Sequence, residues 1–152
     1  DPSEKLYRTF RMRSGRAREA PSWRRYHGFH REEAVNRREI GTAYEEAAAV
    51  FLEGKGVRIL EKNFRCREGE IDLIGRDGEY LVFFEVKYRK NADAGFPAEA
   101  VGIAKQKKIC RAAKYYLYRK HWGESVPVRF DVIAVCAERM NWYQNAFDYI
   151  GN

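Results

Sequence analysis

The chain has 152 residues, of which 45% are hydrophobic and 34% charged, a composition typical of a soluble globular protein rather than a disordered chain. This length allows one domain with a hydrophobic core and is too short for two of ordinary size. No apolar stretch approaches the roughly 20 residues that a membrane-spanning helix needs. The arginine-rich start lacks the apolar segment of a secretory signal. We therefore expect a cytoplasmic protein that does not contact membranes.

Basic residues exceed acidic ones by 29 to 22, and most of the excess lies at the start of the chain. Residues 1–40 hold 11 lysines and arginines but only 6 acids, a net charge of +5, which leaves +2 for the rest. Such an excess favours polyanionic partners. The three cysteines, Cys66, Cys110 and Cys136, are too widely spaced for a C-x-x-C motif. They predict free thiols in a reducing compartment.

Residues 1–35 show neither the alternation of a strand nor the apolar stripe of a helix, and two prolines and two glycines interrupt them. We predict that they form a disordered basic arm capable of weak contact with nucleic acid. A single α/β domain is predicted to follow over residues 36–152. An alternative interpretation is that the arm is an upstream extension of the gene model and that the protein starts near Val35.

The rest of the chain predicts seven elements in the order helix, three strands, helix, two strands. The first helix, Ala43 to Leu52, has a broad apolar arc, with Glu45 at the edge of the face expected to be buried. The other elements are predicted as strands over 57–64, 70–74 and 80–88, a helix over 99–121, a strand over 128–135 and a short strand over 140–143. This order indicates an α/β fold in two or three layers, with a mixed central sheet flanked by helices.

Three charged residues in the predicted central strands are expected to share one face. Asp77-Gly78 predicts a hairpin, and an even-length turn places Asp72 on the face of Glu85 and Lys87. Two carboxylates so close together are unfavourable unless a cation lies between them, and oxygen ligands favour Mg²⁺ or Mn²⁺. Lys87 would then orient a water, with Glu45 as a further acid. The alternative is a set of solvated polar residues on an exposed face.

The motifs around these residues are specific. They include G-T-A-Y-E at 41–45, G-E-I-D-L-I at 69–74, V-F-F-E-V-K-Y-R at 82–89, K-Q at 105–106, R-F-D-V at 129–132 and N-A-F at 145–147. Together they resemble the bacterial YraN-like family over about residues 35–150. That family is similar to archaeal Holliday junction resolvases and belongs to the restriction-endonuclease-like, PD-(D/E)XK, nuclease superfamily. The chain departs from the family at Tyr44, where glycine is frequent, and at Phe84, where valine is commoner.

The resemblance implies a restriction-endonuclease-like core and hydrolysis of DNA phosphodiester bonds with Mg²⁺ or Mn²⁺, without a small-molecule cofactor. By position, Asp72, Glu85 and Glu45 would hold the metal, Lys87 would be the catalytic lysine, and Gln106 would match an accessory polar residue of the superfamily. The expected substrate is branched or otherwise structured DNA in recombination or repair. A homodimer is expected by analogy, because resolving a four-way junction requires two active sites. Asp131, inside an apolar strand, is interpreted as structural.

The second predicted helix carries a basic stripe, since Lys107, Arg111 and Lys114 share one face and no acid lies between Glu99 and Glu124. A phosphate-binding surface is favoured over a solvated face of mixed charge. The complete predicted nucleic-acid-binding set is Arg89, Lys90, Lys105, Lys107, Arg111 and Lys114. Two other functions remain open: a non-catalytic DNA-binding accessory protein with the same fold, and an RNA-directed protein that uses the basic arm.

Overall fold

The structure is a computed structural model that describes residues 33–89, 101–136 and 139–151. The predicted basic arm lies outside these ranges except for residues 33–35, and so does Lys90. The elements are α1 (Glu33–Gly54), β1 (Arg58–Cys66), β2 (Gly69–Asp77), β3 (Tyr80–Arg89), α2 (Ile103–Arg119), β4 (Val128–Cys136) and β5 (Arg139–Phe147). The predicted element order is confirmed. Neither described helix is long and apolar enough to cross a membrane.

The five strands form one sheet in the order β1-β2-β3-β4-β5. Neighbouring strands are antiparallel except β3 and β4, which run parallel. Parallel neighbours need a crossover connection, and α2 lies between them in the chain. The central position of β3 explains its composition, because Leu81 to Glu85 are all buried. The mixed sheet predicted from the sequence is confirmed.

One helix packs on each face of the sheet, so the domain has three layers. The alanine-rich face of α1 packs with Leu73, Val82 and Phe84 in one buried cluster. The apolar face of α2 packs with Phe83 and Phe130 in another. Small residues on α1 allow the helix to approach the sheet closely. The sequence left two and three layers open; three are needed because strands with apolar residues at successive positions must be covered on both faces.

The largest differences from the predicted element boundaries are at the starts of the two helices and at the end of β5. Helix α1 begins at Glu33 rather than Ala43 and passes through Gly41, where the Thr42 hydroxyl donates to Arg38 O at 2.9 Å. Helix α2 begins at Ile103 rather than at residue 99, since Gly102 is extended, with φ −62° and ψ 157°, and forms its N-cap. Strand β5 runs to Phe147 rather than ending at 143, because a register shift lets the pairing with β4 continue.

The hairpin between β2 and β3 has the even-length turn that the sequence predicts. Asp77 pairs with Tyr80, so the turn consists of Gly78 and Glu79, one position later than the predicted centre. Gly78 has a positive φ of 59°, which glycine adopts at little cost. Continued along the strands, this register brings Asp72 opposite Glu85.

Asp131 lies in a buried hydrogen-bonded network, which confirms its structural interpretation. Its carboxylate accepts hydrogen bonds from Arg129 Nε at 2.9 Å, Trp142 Nε1 at 2.8 Å and the Asn145 backbone N–H at 2.9 Å. Arg129 also donates to Asp77 at 2.7 Å. The network therefore ties β4 to both the β2–β3 hairpin and β5.

Candidate active site

Asp72 and Glu85 meet where β2 and β3 separate. The regular pairing of these strands ends at the pair Leu73–Phe84, and Asp72 and Glu85 are the next residues beyond that pair on β2 and β3. Asp72 instead accepts a hydrogen bond from the Val86 backbone N–H at 2.8 Å. This bond holds the Asp72 carboxylate beside the Glu85 segment of β3, and the two acids interact directly. The even-length turn predicted that Asp72 shares a face with Glu85, and the structure brings the two acids together on that face.

Glu45 reaches the same place from α1. The neighbouring Asp72 raises the pKa of its carboxyl, and the side chain of Asn63 on β1 lowers it, so both side chains lie beside Glu45. Asn63 has a left-handed backbone conformation with φ 53°, which asparagine tolerates better than most residues. At Asn63 the side chains of β1 switch from one face of the sheet to the other. The side chain of Lys62 contacts Glu46 of α1, whereas that of Phe64 packs in the buried cluster of α2 on the opposite face. Asn63 is thus a site residue that the sequence did not identify as one.

The acids form a region that disfavours further negative charge. Burial raises the pKa of Glu85 to about 8, and the neighbouring Asp72 carboxylate raises it as well, while Lys105 and Lys87 oppose the shift. Burial also raises the pKa of Glu45 to about 7, again with a contribution from Asp72. Repulsion between carboxylates is relieved either by protons or by a cation.

Two oxygen atoms in this cluster are buried without a hydrogen-bond partner. They are Oε2 of Glu45 and Oε2 of Glu85, and in the part of the chain that the structure describes the one other buried side-chain atom of this kind is Nη1 of Arg76. Buried polar atoms normally have partners. Unpartnered carboxylate oxygens beside a third acid are donors suited to a hard divalent cation.

The fit to such a cation depends on additional oxygen ligands. Across residues 33–89, 101–136 and 139–151, no group of three or more His, Cys, Asp or Glu side chains is arranged to hold a metal ion by itself. Mg²⁺ commonly keeps several waters and binds only one or two carboxylates together with substrate phosphates. The donor chemistry of Asp72, Glu85 and Glu45 therefore suits Mg²⁺ or Mn²⁺ with water and phosphate oxygens completing the coordination.

Two lysines contribute positive charge to the cluster. Lys87 is exposed, lies two residues after Glu85 on β3, and lowers the pKa of that acid. Lys105 of α2 places its Nζ 3.8 Å from Glu85 Oε1. The sequence placed Lys105 in the nucleic-acid-binding set, outside the stripe of Lys107, Arg111 and Lys114, and did not place it beside Glu85. Lys105 is thus a second residue whose place in the site the sequence did not reveal.

The remaining predicted site residues lie around this cluster. Gln106 is buried, and its Nε2 donates a hydrogen bond to Val101 O at 2.8 Å. This bond anchors the start of α2. The catalytic role of Gln106 stays a prediction. Lys107 and Lys114 are exposed on α2, and Arg111 lies 3.5 Å from Glu68. Arg89 ends β3. The basic residues of α2 therefore face solvent, and their contact with nucleic acid stays a prediction.

Two stacked tyrosine rings connect α1 to β3 next to the site. The rings of Tyr44 and Tyr88 are stacked, with centroids 4.7 Å apart and an interplanar angle of 13°. Tyr44 precedes Glu45 and Tyr88 follows Lys87, so the stack connects the backbone segments that carry two predicted site residues. Burial raises the pKa of the Tyr44 hydroxyl above its usual range.

Comparison with known proteins agrees with the family resemblance that the sequence motifs indicate. The uncharacterised protein family UPF0102 matches residues 44–135, which include every acid of the cluster. The chain belongs to the UPF0102 family. The YraN-like resemblance found in the sequence is therefore confirmed.

Relatives in the UPF0102 family come from different bacteria. A UPF0102 protein of Lachnoclostridium phytofermentans is 47% identical over 118 residues, covering 78% of this chain and 100% of the relative. One from Bordetella parapertussis is 49% identical over 111 residues, covering 70% of this chain but 63% of that protein. One from Nitrosomonas eutropha is 47% identical over 109 residues, covering 71% and 92%. The similarity covers the domain that carries the site.

Proposed function

We propose that this UPF0102 protein is a metal-dependent endonuclease that hydrolyses phosphodiester bonds in DNA. The observation that carries the proposal is the acid cluster: Glu45 and Glu85 each present a buried, unpartnered oxygen beside Asp72, with Lys87 two residues further along β3. A cluster that serves only the fold would be expected to satisfy these oxygens with hydrogen bonds.

In this proposal Asp72, Glu85 and Glu45 hold Mg²⁺ or Mn²⁺, and Lys87 orients the attacking water. The ion, when bound, stabilises the negative charge that develops on the phosphate. The hydrogen bond from the Val86 N–H fixes the Asp72 carboxylate, so that this ligand is positioned before the ion binds. Preorganised ligands reduce the cost of binding and of reaching the transition state.

The basic surface of α2 supplies contacts to the phosphate backbone. Lys107 and Lys114 are exposed, and such lysines bind phosphates without regard to base sequence. We therefore propose selectivity for DNA structure rather than base sequence, with branched DNA in recombination or repair as the substrate. A homodimer would supply the two active sites that cutting a four-way junction requires.

The proposal is tested by cleavage of labelled duplex, single-stranded, flap and four-way junction DNA in Mg²⁺ or Mn²⁺. Wild type is compared with Lys87→Ala and with Lys120→Ala, which removes an exposed lysine at the end of α2. We expect metal-dependent cutting by wild type and Lys120→Ala, and loss of cutting, by a factor of about 100 or more, in Lys87→Ala. DNA binding by wild type without cutting in either metal would contradict the proposal and favour a non-catalytic accessory protein.

A further inference from the structure

Lys105 makes an ion pair with an acid that the proposed function assigns to the metal. Its Nζ lies 3.8 Å from Glu85 Oε1, and the Glu85 side chain is 9% exposed whereas that of Lys105 is 42% exposed. The other carboxylate oxygen of Glu85 is buried and unpartnered. One oxygen of the Glu85 carboxyl therefore already faces an ammonium group, while the other has no hydrogen-bond partner.

The first turn of α2 holds the Lys105 backbone in this position. The Gln106 N–H donates to Gly102 O at 3.0 Å, and the Gln106 side chain donates to Val101 O at 2.8 Å. The lysine side chain itself is long and flexible, and its half-exposed ammonium can leave Glu85 for solvent without moving the helix. The helix is thus fixed, and the charge at the end of the side chain is movable.

Electrostatics favours replacement of the Lys105 ammonium by a divalent cation at the Glu85 carboxylate. Asp72 interacts with both Glu45 and Glu85, and Lys105 is the lysine whose ammonium lies within 4 Å of Glu85, with Nζ 3.8 Å from Oε1. A divalent cation among these acids would neutralise them and repel the ammonium. The displaced ammonium would remain beside the ion, where a substrate phosphate would bring new negative charge.

We propose that Lys105 is an exchangeable partner of the site, whose ammonium lies against Glu85 Oε1 while no divalent ion is bound and contacts a phosphate oxygen of DNA once the ion has replaced it. This inference rests on the proposed function, because the ion and the phosphate are those of the proposed reaction. It separates Lys105 from Lys107 and Lys114, whose exposed positions serve general attraction to DNA.

The first test titrates Mn²⁺ alone into the protein by calorimetry, without DNA. Lys105→Met removes the competing charge but keeps the side-chain stem, and we expect it to bind Mn²⁺ about fivefold more tightly than wild type, the size expected for a half-exposed ion pair. Lys105→Arg, which keeps the charge, should bind Mn²⁺ with the wild-type affinity. Lys120→Met loses one charge at the distant end of the same helix and should stay within about twofold of wild type.

The second test measures the phosphate contact by fluorescence anisotropy of labelled DNA. Lys87→Ala serves as the background to suppress cutting, and Lys105→Met is added to it. With Mn²⁺ we expect the added change to weaken DNA binding about threefold to tenfold, the effect of one lost phosphate contact. In chelator the two proteins should bind equally, because Lys105 is then held by Glu85.

The outcomes separate this inference from the proposed function. If wild type binds Mn²⁺ and Lys105→Met binds it equally or more weakly, the exchange is wrong and the metal site stands. If Lys105→Met weakens DNA binding to the same extent in chelator, Lys105 is an ordinary member of the basic surface and the exchange is again wrong. If neither wild type nor Lys105→Met binds Mn²⁺, both the exchange and the proposed metal site are wrong.

Discussion

Replacing Asp131 tests whether the buried network of β4 stabilises the fold. Asp131 is 0% exposed, and the side chain of Arg129 is 11% exposed. Removing one partner of a buried ion pair typically costs about 3–5 kcal/mol, because the other charge is left without compensation. Here Arg129 keeps its bond to Asp77 at 2.7 Å, which reduces the cost, whereas Trp142 Nε1 and the Asn145 N–H lose their acceptor. We expect Asp131→Ala to lower the free energy of unfolding by about 4 kcal/mol.

The assay is urea denaturation followed by tryptophan fluorescence. Asp131→Asn and Arg129→Met are measured singly and together, since the double variant removes both charges. We expect its loss to be smaller than the sum of the single losses by about 1–3 kcal/mol. Asp148→Asn changes an exposed carboxylate and should stay within about 0.5 kcal/mol of wild type. A loss below about 1 kcal/mol for Asp131→Ala, or additive losses in the cycle, would refute the reasoning.

Three further predictions concern the site and the packing around it. For Glu85 the folded pKa of about 8 lies above the ordinary 4.5, so its contribution to stability is fully present below about pH 4.5 and is lost as the pH rises through 8. In chelator, Glu85→Gln should therefore be more stable than wild type at pH 9 and lose this advantage towards pH 5 in urea titrations; an advantage that does not change with pH would contradict the pKa shift. Gly75→Ala should lower the free energy of unfolding by about 1–3 kcal/mol, because an added Cβ would lie 2.9 Å from Val57 Cγ1 and 3.0 Å from Arg58 O; an unchanged urea midpoint would contradict this. Asn63→Gly should keep the fold, because φ is 53° there, whereas Asn63→Val should lower the thermal midpoint by several degrees; equal midpoints would refute the strain argument.

Much of the fold follows from short-range sequence patterns. The apolar run of β3 marks a strand buried on both faces, and Asp77-Gly78 predicts a hairpin with an even-length turn, which puts Asp72 on the face of Glu85. The observed turn, Gly78-Glu79, sets the register that brings these two acids opposite each other. Element ends were less predictable, since Gly41 lies inside α1 although glycine has a low helix propensity. The end of β5 depends on a register shift against β4, which is a tertiary feature.

The site was predictable where its residues lie on neighbouring strands and less so where it depends on tertiary packing. Asp72 and Glu85 follow from the hairpin register, and Glu45 from its place at the edge of an apolar helical face. Asn63 left a weak signal, because asparagine is rare inside strands and tolerates a left-handed conformation. Lys105 was predicted as a nucleic-acid-binding residue but not as a neighbour of Glu85, since that contact depends on how α2 packs against the sheet.

The central claim is that the acid cluster is a metal-dependent catalytic site, and single-turnover DNA cleavage by Asp72→Asn tests it most directly. The matched control, Asp148→Asn, makes the same chemical change at an exposed position. The account predicts that wild type and Asp148→Asn cut a labelled four-way junction in Mn²⁺, while Asp72→Asn cuts it at least about 100 times more slowly but remains folded. Equal cutting rates for Asp72→Asn and Asp148→Asn would contradict the account.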